Sequence, residues 1–153
     1  MSERVLLYDR LKETFLLLDF GDRQFLVDYG LTVSRYYVLV HIAAEPGICP
    51  SLLSNRMFCD KSNITRLLQS MEAEGYVERR AHESDRRLHR LYLSPAGRHL
   101  QQRAQTAHEA YTSRRLAGID RQQMEQMAAT LAQLNQQLDT NWDGSRKFLI
   151  EEE

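Results

Sequence analysis

The sequence predicts a mainly α-helical domain carrying one small β-hairpin, and three observations point there. Apolar residues recur at helical spacing through most of the 153 positions. Only three prolines and seven glycines punctuate the chain, and nearly all fall where a helix should start or stop. One stretch alone leaves that spacing: Gly75-Tyr76-Val77 enters it, Leu91-Tyr92-Leu93 closes it with the alternation of a half-buried strand, and Glu83-Ser84-Asp85 offers a tight turn between.

Taken in order, residues 5–29 read as a long helix whose apolar side chains crowd several faces, among them Val5, Leu6, Leu7, Leu11, Phe15, Leu16, Leu17, Leu18, Phe20, Phe25 and Leu26. A helix apolar on more than one face needs a second covering surface, and a second copy of the chain would supply it. Gly30 ends the segment. Thr32 or Ser34 caps a helix over 34–44, closed by Glu45-Pro46-Gly47. A short helix over 50–58 starts on Pro50 and points Leu52, Leu53 and Met57 inward. Cys59-Asp60 turns, and Asp60 caps the next helix, with Ile64, Leu67, Leu68 and Met71 along one face, until Gly75. After the hairpin, Ser94-Pro95 opens a long helix with Leu100, Ala104, Ala107 and Tyr111 inward, ending near Gly118. The last helix opens at Asp120 and sets Met124, Met127, Leu131, Leu134 and Leu138 in a coiled-coil-like seam before Trp142.

The expected plan is one domain over 1–153. A winged helix-turn-helix core at 31–97 is flanked by dimerisation helices at 1–30 and 98–142, with an acidic tail at 143–153. Composition excludes several classes. The chain has no run near the ~18 apolar residues of a membrane span and no leader-like start, so a cytoplasmic protein with no membrane partner is expected. Cys49 and Cys59 are too few for a disulfide scaffold and lack zinc spacing. The five histidines form no His-x-x-x-His, and neither a phosphate-cradling glycine loop nor a Gly-x-Ser-x-Gly elbow occurs. No enzyme, metal or cofactor is expected.

Formal net charge is only −1, so any polyanion site must gather its cations locally. Two segments do. The helix capped by Asp60 spends its apolar face on the core and displays Lys61, Ser62, Asn63, Thr65, Arg66 and Gln69 elsewhere near its N-terminus. Arg, Asn and Gln are the side chains whose donors and acceptors match base edges in a major groove. The hairpin places five arginines within Arg79-to-Ser94: Arg79, Arg80 and Arg90 on its arms, suited to phosphates, and Arg86 and Arg87 at its tip, suited to a narrow minor groove. Asp85 beside them is read as orienting Arg87. The bland alternatives are a solvated helix face and a charged hairpin that blunts a sheet edge.

The stretches LTVSRYYVLVHIAAEPG, DKSNITRLLQSMEAEGYVERR and SDRRLHRLYLSPAGR resemble the winged-helix core of the multiple-antibiotic-resistance regulator (MarR) family. The wing's Asp-x-Arg (Asp85, Arg87) followed by a strand ending in Leu-Ser is the most specific part of the likeness. The resemblance implies a homodimeric, sequence-specific transcriptional regulator, expected to be a repressor, on a pseudo-palindromic duplex. Ser62, Asn63, Thr65 and Arg66 would lie in the major groove, and Arg87 in the minor groove with Arg86 as fallback. The short helix SLLSNRMFCD departs from the family, lacking its Leu-Ala start and glycine-containing turn. Family members often hold a small aromatic or amphipathic effector between dimerisation helices and lobe; here Phe15, Tyr36, Tyr37, His41, His108 and Tyr111 are the candidate lining, set against the alternative that they are ordinary core. Other readings are a winged-helix module binding an acidic protein surface, and a thiol-based redox regulator using Cys59.

Overall fold

The computed structural model describes residues 2–84 and 88–139. The elements are α1 (Glu3–Leu26), a 3-10 turn (Val27–Tyr29), α2 (Val33–Ala44), α3 (Pro50–Arg56), α4 (Lys61–Ala73), β1 (Val77–Ala81), β2 (His89–Leu93), α5 (Pro95–Arg115) and α6 (Arg121–Leu138). Fold class and element order are those expected. Asp85, Arg86, Arg87 and Trp142 lie outside the described residues.

The lobe is built around α2, α3, α4 and the hairpin. Leu39, Ile42, Leu53, Ile64, Leu68, Met71, Leu91 and Leu93 are buried together, joined by Leu26 from the end of α1 and Ala104 from α5. The strands pair antiparallel, Val77 opposite Leu93 and Arg79 opposite Leu91, so the 77/79 and 91/93 side chains share the inner face. The α2–α3 connection adds a third edge: Gly47 N donates to Leu91 O at 2.8 Å, and Leu91 N to Ile48 O at 3.0 Å.

Boundaries shift for local reasons. The regular part of α1 stops at Leu26, three residues early, where the chain tightens into the 3-10 turn before Gly30 takes the left-handed conformation, φ 65°. Of the two candidate caps for α2, Thr32 is the one used, its hydroxyl accepting from Arg35 N at 3.2 Å. Helix α3 ends at Arg56 rather than Phe58, because Phe58 sits at φ 50°, a conformation that breaks a helix and that non-glycine residues rarely adopt. The turn thus keeps a left-handed residue but fills it with phenylalanine, which accounts for the missing glycine. Helix α5 ends at Arg115, before Leu116–Gly118. Its most buried residues are Gly97, Gln101 and Ala104, with Leu100, Ala107 and Tyr111 only half-buried, so the inner stripe is rotated toward the Gly97 edge.

The rotation has a visible cause. Ser94 Oγ accepts from Gly97 N at 3.0 Å and donates to Gly75 O at 2.6 Å, drawing the first turn of α5 against the α4–β1 turn. A methyl group on Gly97 would stand 2.0 Å from Tyr76 O. Only glycine fits there.

Outside the lobe, α1 and α6 are long and uncovered. Leu7, Phe15, Leu16, Leu17 and Phe20 on α1 are more than half exposed, and Met124, Met127, Leu131 and Leu138 on α6 are also exposed. Asp120 and Gln123 form a reciprocal capping box at the start of α6. Among the described residues no helix is long and apolar enough to cross a membrane.

Candidate nucleic-acid interface

Helix α4 presents its polar residues as a set. Ile64, Leu68 and Met71 are buried while Lys61, Ser62, Asn63, Thr65, Arg66 and Gln69 are all exposed. Burying one stripe of an amphipathic helix fixes its rotation, so these six side chains keep a common outward direction. Two ion pairs hold the helix at its C-terminal half. Arg35 of α2 bonds Glu74, and Arg79 of β1 forks onto Glu72, Nε to Oε1 at 3.0 Å and Nη2 to Oε2 at 3.3 Å. The Arg35 guanidinium and the Ser70 hydroxyl hold the Glu74 carboxyl below its ordinary range.

At the N-terminus the polar groups are engaged with one another. Asp60 Oδ1 accepts from Asn63 N at 2.9 Å and from Ser62 Oγ at 2.6 Å, and Asp60 Oδ2 accepts from Asn63 Nδ2 at 2.7 Å. Asn63 Oδ1 accepts in turn from Arg66 Nη2 at 2.5 Å. The Ser62 hydroxyl and the backbone N–H groups lower the Asp60 carboxyl below its ordinary value, so it is a carboxylate at neutral pH. Thr65 Oγ1 donates to Lys61 O at 2.8 Å, which turns its methyl outward.

The hairpin arms divide their arginines between two faces. Arg79 is on the inner face, about a quarter exposed and tied to Glu72. Arg80 and Arg90 are opposite each other on the outer face. Arg80 pairs with Glu78 at 2.8 Å and lies 4.3 Å over the Tyr92 ring. Arg90 donates to Gly47 O at 3.1 Å and meets His82 Nε2 at 2.8 Å, fastening the wing to the α2–α3 turn.

A separate cavity of about 500 Å³ lies where α1, α2 and α5 meet. Phe15, Tyr37 and His108 line it. Tyr36 stands behind His108, ring centroids 4.9 Å apart, and Tyr111 stacks on Phe25 at 4.5 Å. His41 is not brought to this cavity; it is buried on α2, where desolvation and the nearby Arg56 charge lower its pKa. Burial, Asp22 and Asp19 raise the Tyr37 phenol, and burial raises the Tyr36 phenol. The cavity's charged hub is Asp22, whose Oδ1 meets His108 Nε2 at 3.0 Å and Arg115 Nη1 at 3.4 Å. Arg115 also reaches the carbonyls of Leu17 and Leu18. Asp22 and Arg115 are absent from the sequence-based lining, although His108 and Arg115 stand seven apart on one helix face, a spacing that could have suggested the pair.

Cys49 and Cys59 are both free and half-buried. Burial pushes the Cys49 thiol up, but hydrogen bonds from Ser51 and the first backbone N–H groups of α3 outweigh it and the net shift is downward. Among the described residues, no group of three or more His, Cys, Asp or Glu gathers as a metal site.

Comparison with known proteins places this geometry. The family model described as the MarR family matches residues 29–88. A MarR-family transcriptional regulator from Rhodococcus sp. RHA1 has a similar structure, TM-score 0.77, with 25% identity over 88% of this chain and 95% of that one. CouR from Rhodococcus jostii RHA1, solved bound to p-coumaroyl-CoA, is 28% identical over 87% of this chain and 92% of its own, TM-score 0.73. FabT from Streptococcus pneumoniae, solved in complex with DNA, shares the fold at TM-score 0.76 and 21% identity, covering 92% of this chain and all of that one (100%). Curated helix-turn-helix-type regulators that are 32–34% identical are spanned over 40–55% of their own length. Residues 29–88, which carry α2 to the wing, match the MarR family, and from this lobe to the uncovered outer helices the chain resembles the MarR-family winged-helix transcriptional regulators.

Proposed function

We propose that the protein is a homodimeric repressor that binds a pseudo-palindromic duplex and releases it when a small molecule fills the α1–α2–α5 cavity. The observation that carries the reading is the common outward face of α4. Six base- or phosphate-compatible side chains stand there on a helix whose rotation is fixed by Ile64, Leu68 and Met71. Arg66 and Gln69 would contact base edges, the Thr65 methyl would suit a thymine methyl, and Lys61 would meet phosphate. Arg80 and Arg90 would lie along the backbone, with Arg86 and Arg87 of the wing tip assigned to the minor groove on sequence grounds. FabT's complex with DNA supports this use of the fold.

Two-fold symmetry follows from the outer helices. The exposed leucines and phenylalanines of α1 and the methionine-leucine seam of α6 are covered if two copies join along them. The two α4 helices would then enter successive major grooves about 10 bp apart. The cavity mixes an apolar wall with Arg115, His108 and Tyr37, which suits an amphipathic aromatic molecule, and CouR's bound p-coumaroyl-CoA supports such an effector. It would act by favouring one spacing of the lobes over another.

Titration on duplex DNA at several salt concentrations tests the reading. Expected is a steep linear fall of log affinity with log salt, as phosphate contacts release counterions. Flat, negligible binding to pooled genomic fragments would instead favour a protein partner for the basic face. Sedimentation of the native chain is expected to give a dimer at micromolar concentration, and Leu16→Glu with Leu17→Glu to give monomers that bind operator far more weakly.

A further inference from the structure

The polar network at the start of α4 has a direction. A carboxylate only accepts, so the Asn63 group facing Asp60 Oδ2 must be its NH2. That choice leaves Asn63 Oδ1 on the far side, where it accepts from Arg66 Nη2. Asp60 therefore sets the orientation of one amide, and the amide holds one edge of the Arg66 guanidinium. The remaining donors of Arg66 are aimed outward from a held fork rather than from a free side chain.

We infer that Asp60 is a specificity-positioning residue, which through Asn63 orients the Arg66 guanidinium for base recognition. This rests on the reading that α4 enters the major groove. The role is separable from helix capping, since capping needs only the Oδ1 acceptor for Asn63 N, whereas the relay needs a second acceptor toward Asn63 Nδ2. Asn63 itself, with both ends of its amide engaged, is a linker more than a reader.

The substitution Asp60→Asn separates the two roles. Asparagine caps a helix about as well as aspartate, so the variant is expected to melt within about 2 °C of the parent. Its NH2 would now face Asn63, the Asn63 amide would turn to present oxygen, and its own NH2 would meet Arg66, donor against donor. Arg66 loses its support. The variant also carries one negative charge fewer beside the phosphates, so its affinity for unrelated duplexes is expected to hold or rise.

The experiment is selection from a random duplex pool with the full chain, followed by titrations, for the parent, Asp60→Asn, Asp60→Ser, Arg66→Ala and the Asp60→Asn/Arg66→Ala double variant. Expected for Asp60→Asn is a loss of roughly tenfold in preference at the base pair that Arg66→Ala also relaxes, with no further loss in the double variant. Asp60→Ser keeps a capping oxygen but cannot span to Asn63 Nδ2, and is expected to behave alike. The inference is overturned if Asp60→Asn keeps the parental preference, or if its loss falls at another base pair or adds to that of Arg66→Ala. A parent that enriches a duplex while Arg66→Ala reads it normally overturns the inference alone; a parent that enriches nothing overturns the DNA reading of α4 with it.

Discussion

Arg79 reaches from β1 to grip both carboxylate oxygens of Glu72, at 3.0 and 3.3 Å, and so couples the wing to α4. With both side chains about a quarter exposed, the pair is shielded enough to contribute and wet enough to contribute modestly, about 1 kcal/mol. Arg79→Met keeps the aliphatic stem and removes the fork. It is expected to lower Tm by about 3 °C while leaving the salt dependence of DNA binding unchanged, because Arg79 is committed to Glu72. Calorimetry and a salt titration on the same variant check both halves.

Phe58 holds a left-handed backbone at φ 50° and is 65% exposed as a residue. A β-carbon in that region costs on the order of 1 kcal/mol, and little buried area offsets it. Phe58→Gly is therefore expected to raise Tm by about 2–4 °C, as read by thermal melting. A lower Tm would mean that the ring contributes more than its exposure suggests.

Two glycines of α5 and its C-terminal turn make opposite predictions. Gly97→Ala drives a methyl to 2.0 Å from the Tyr76 carbonyl and forces α5 off the α4–β1 turn, which is expected to cost about 2–3 kcal/mol. Gly118→Ala meets nothing within 4 Å and is expected to be neutral or slightly stabilising. Urea unfolding of the two variants side by side distinguishes them.

His41 gives stability a pH dependence of its own. Its folded pKa is depressed, so the unfolded chain takes up a proton below about 6.5 while the native protein resists it. Above that value the ring is neutral in both states and contributes nothing to the slope. Stability is expected to fall as pH drops from about 6.5 toward the folded pKa, and His41→Phe to flatten that window in melts between pH 7.5 and 5.5. The depressed carboxyls of Asp60 and Glu74 act lower, stabilising above their ordinary pKa and releasing that stability as pH falls through the folded values.

Much of this was legible in the residues because it depends on period and punctuation. Ile64, Leu68 and Met71 fix the face of α4, and Ser94-Pro95 and Asp120 mark helix starts that the structure uses. What the pattern hides is pairing across sequence distance. Nothing local distinguishes Arg79, turned inward to Glu72, from Arg80, turned outward over Tyr92; strand alternation says they differ but not which one reaches across to α4. Gln101 is buried although polar, since its amide bonds Gln105 one turn on, and His41, an aromatic on the same helix as Tyr37, is buried away from the cavity. Asp22 and Arg115 carry no local mark either, being joined by an ion pair across 93 positions.

At Gly21 the long arm leaves its own side-chain space to α5: a β-carbon there would lie 2.6 Å from Tyr111 Oη and 2.7 Å from Arg115 Cζ. Both atoms are the swinging ends of side chains, so a single added carbon would push the guanidinium off Asp22 and loosen the latch between the arm and α5 without moving either backbone.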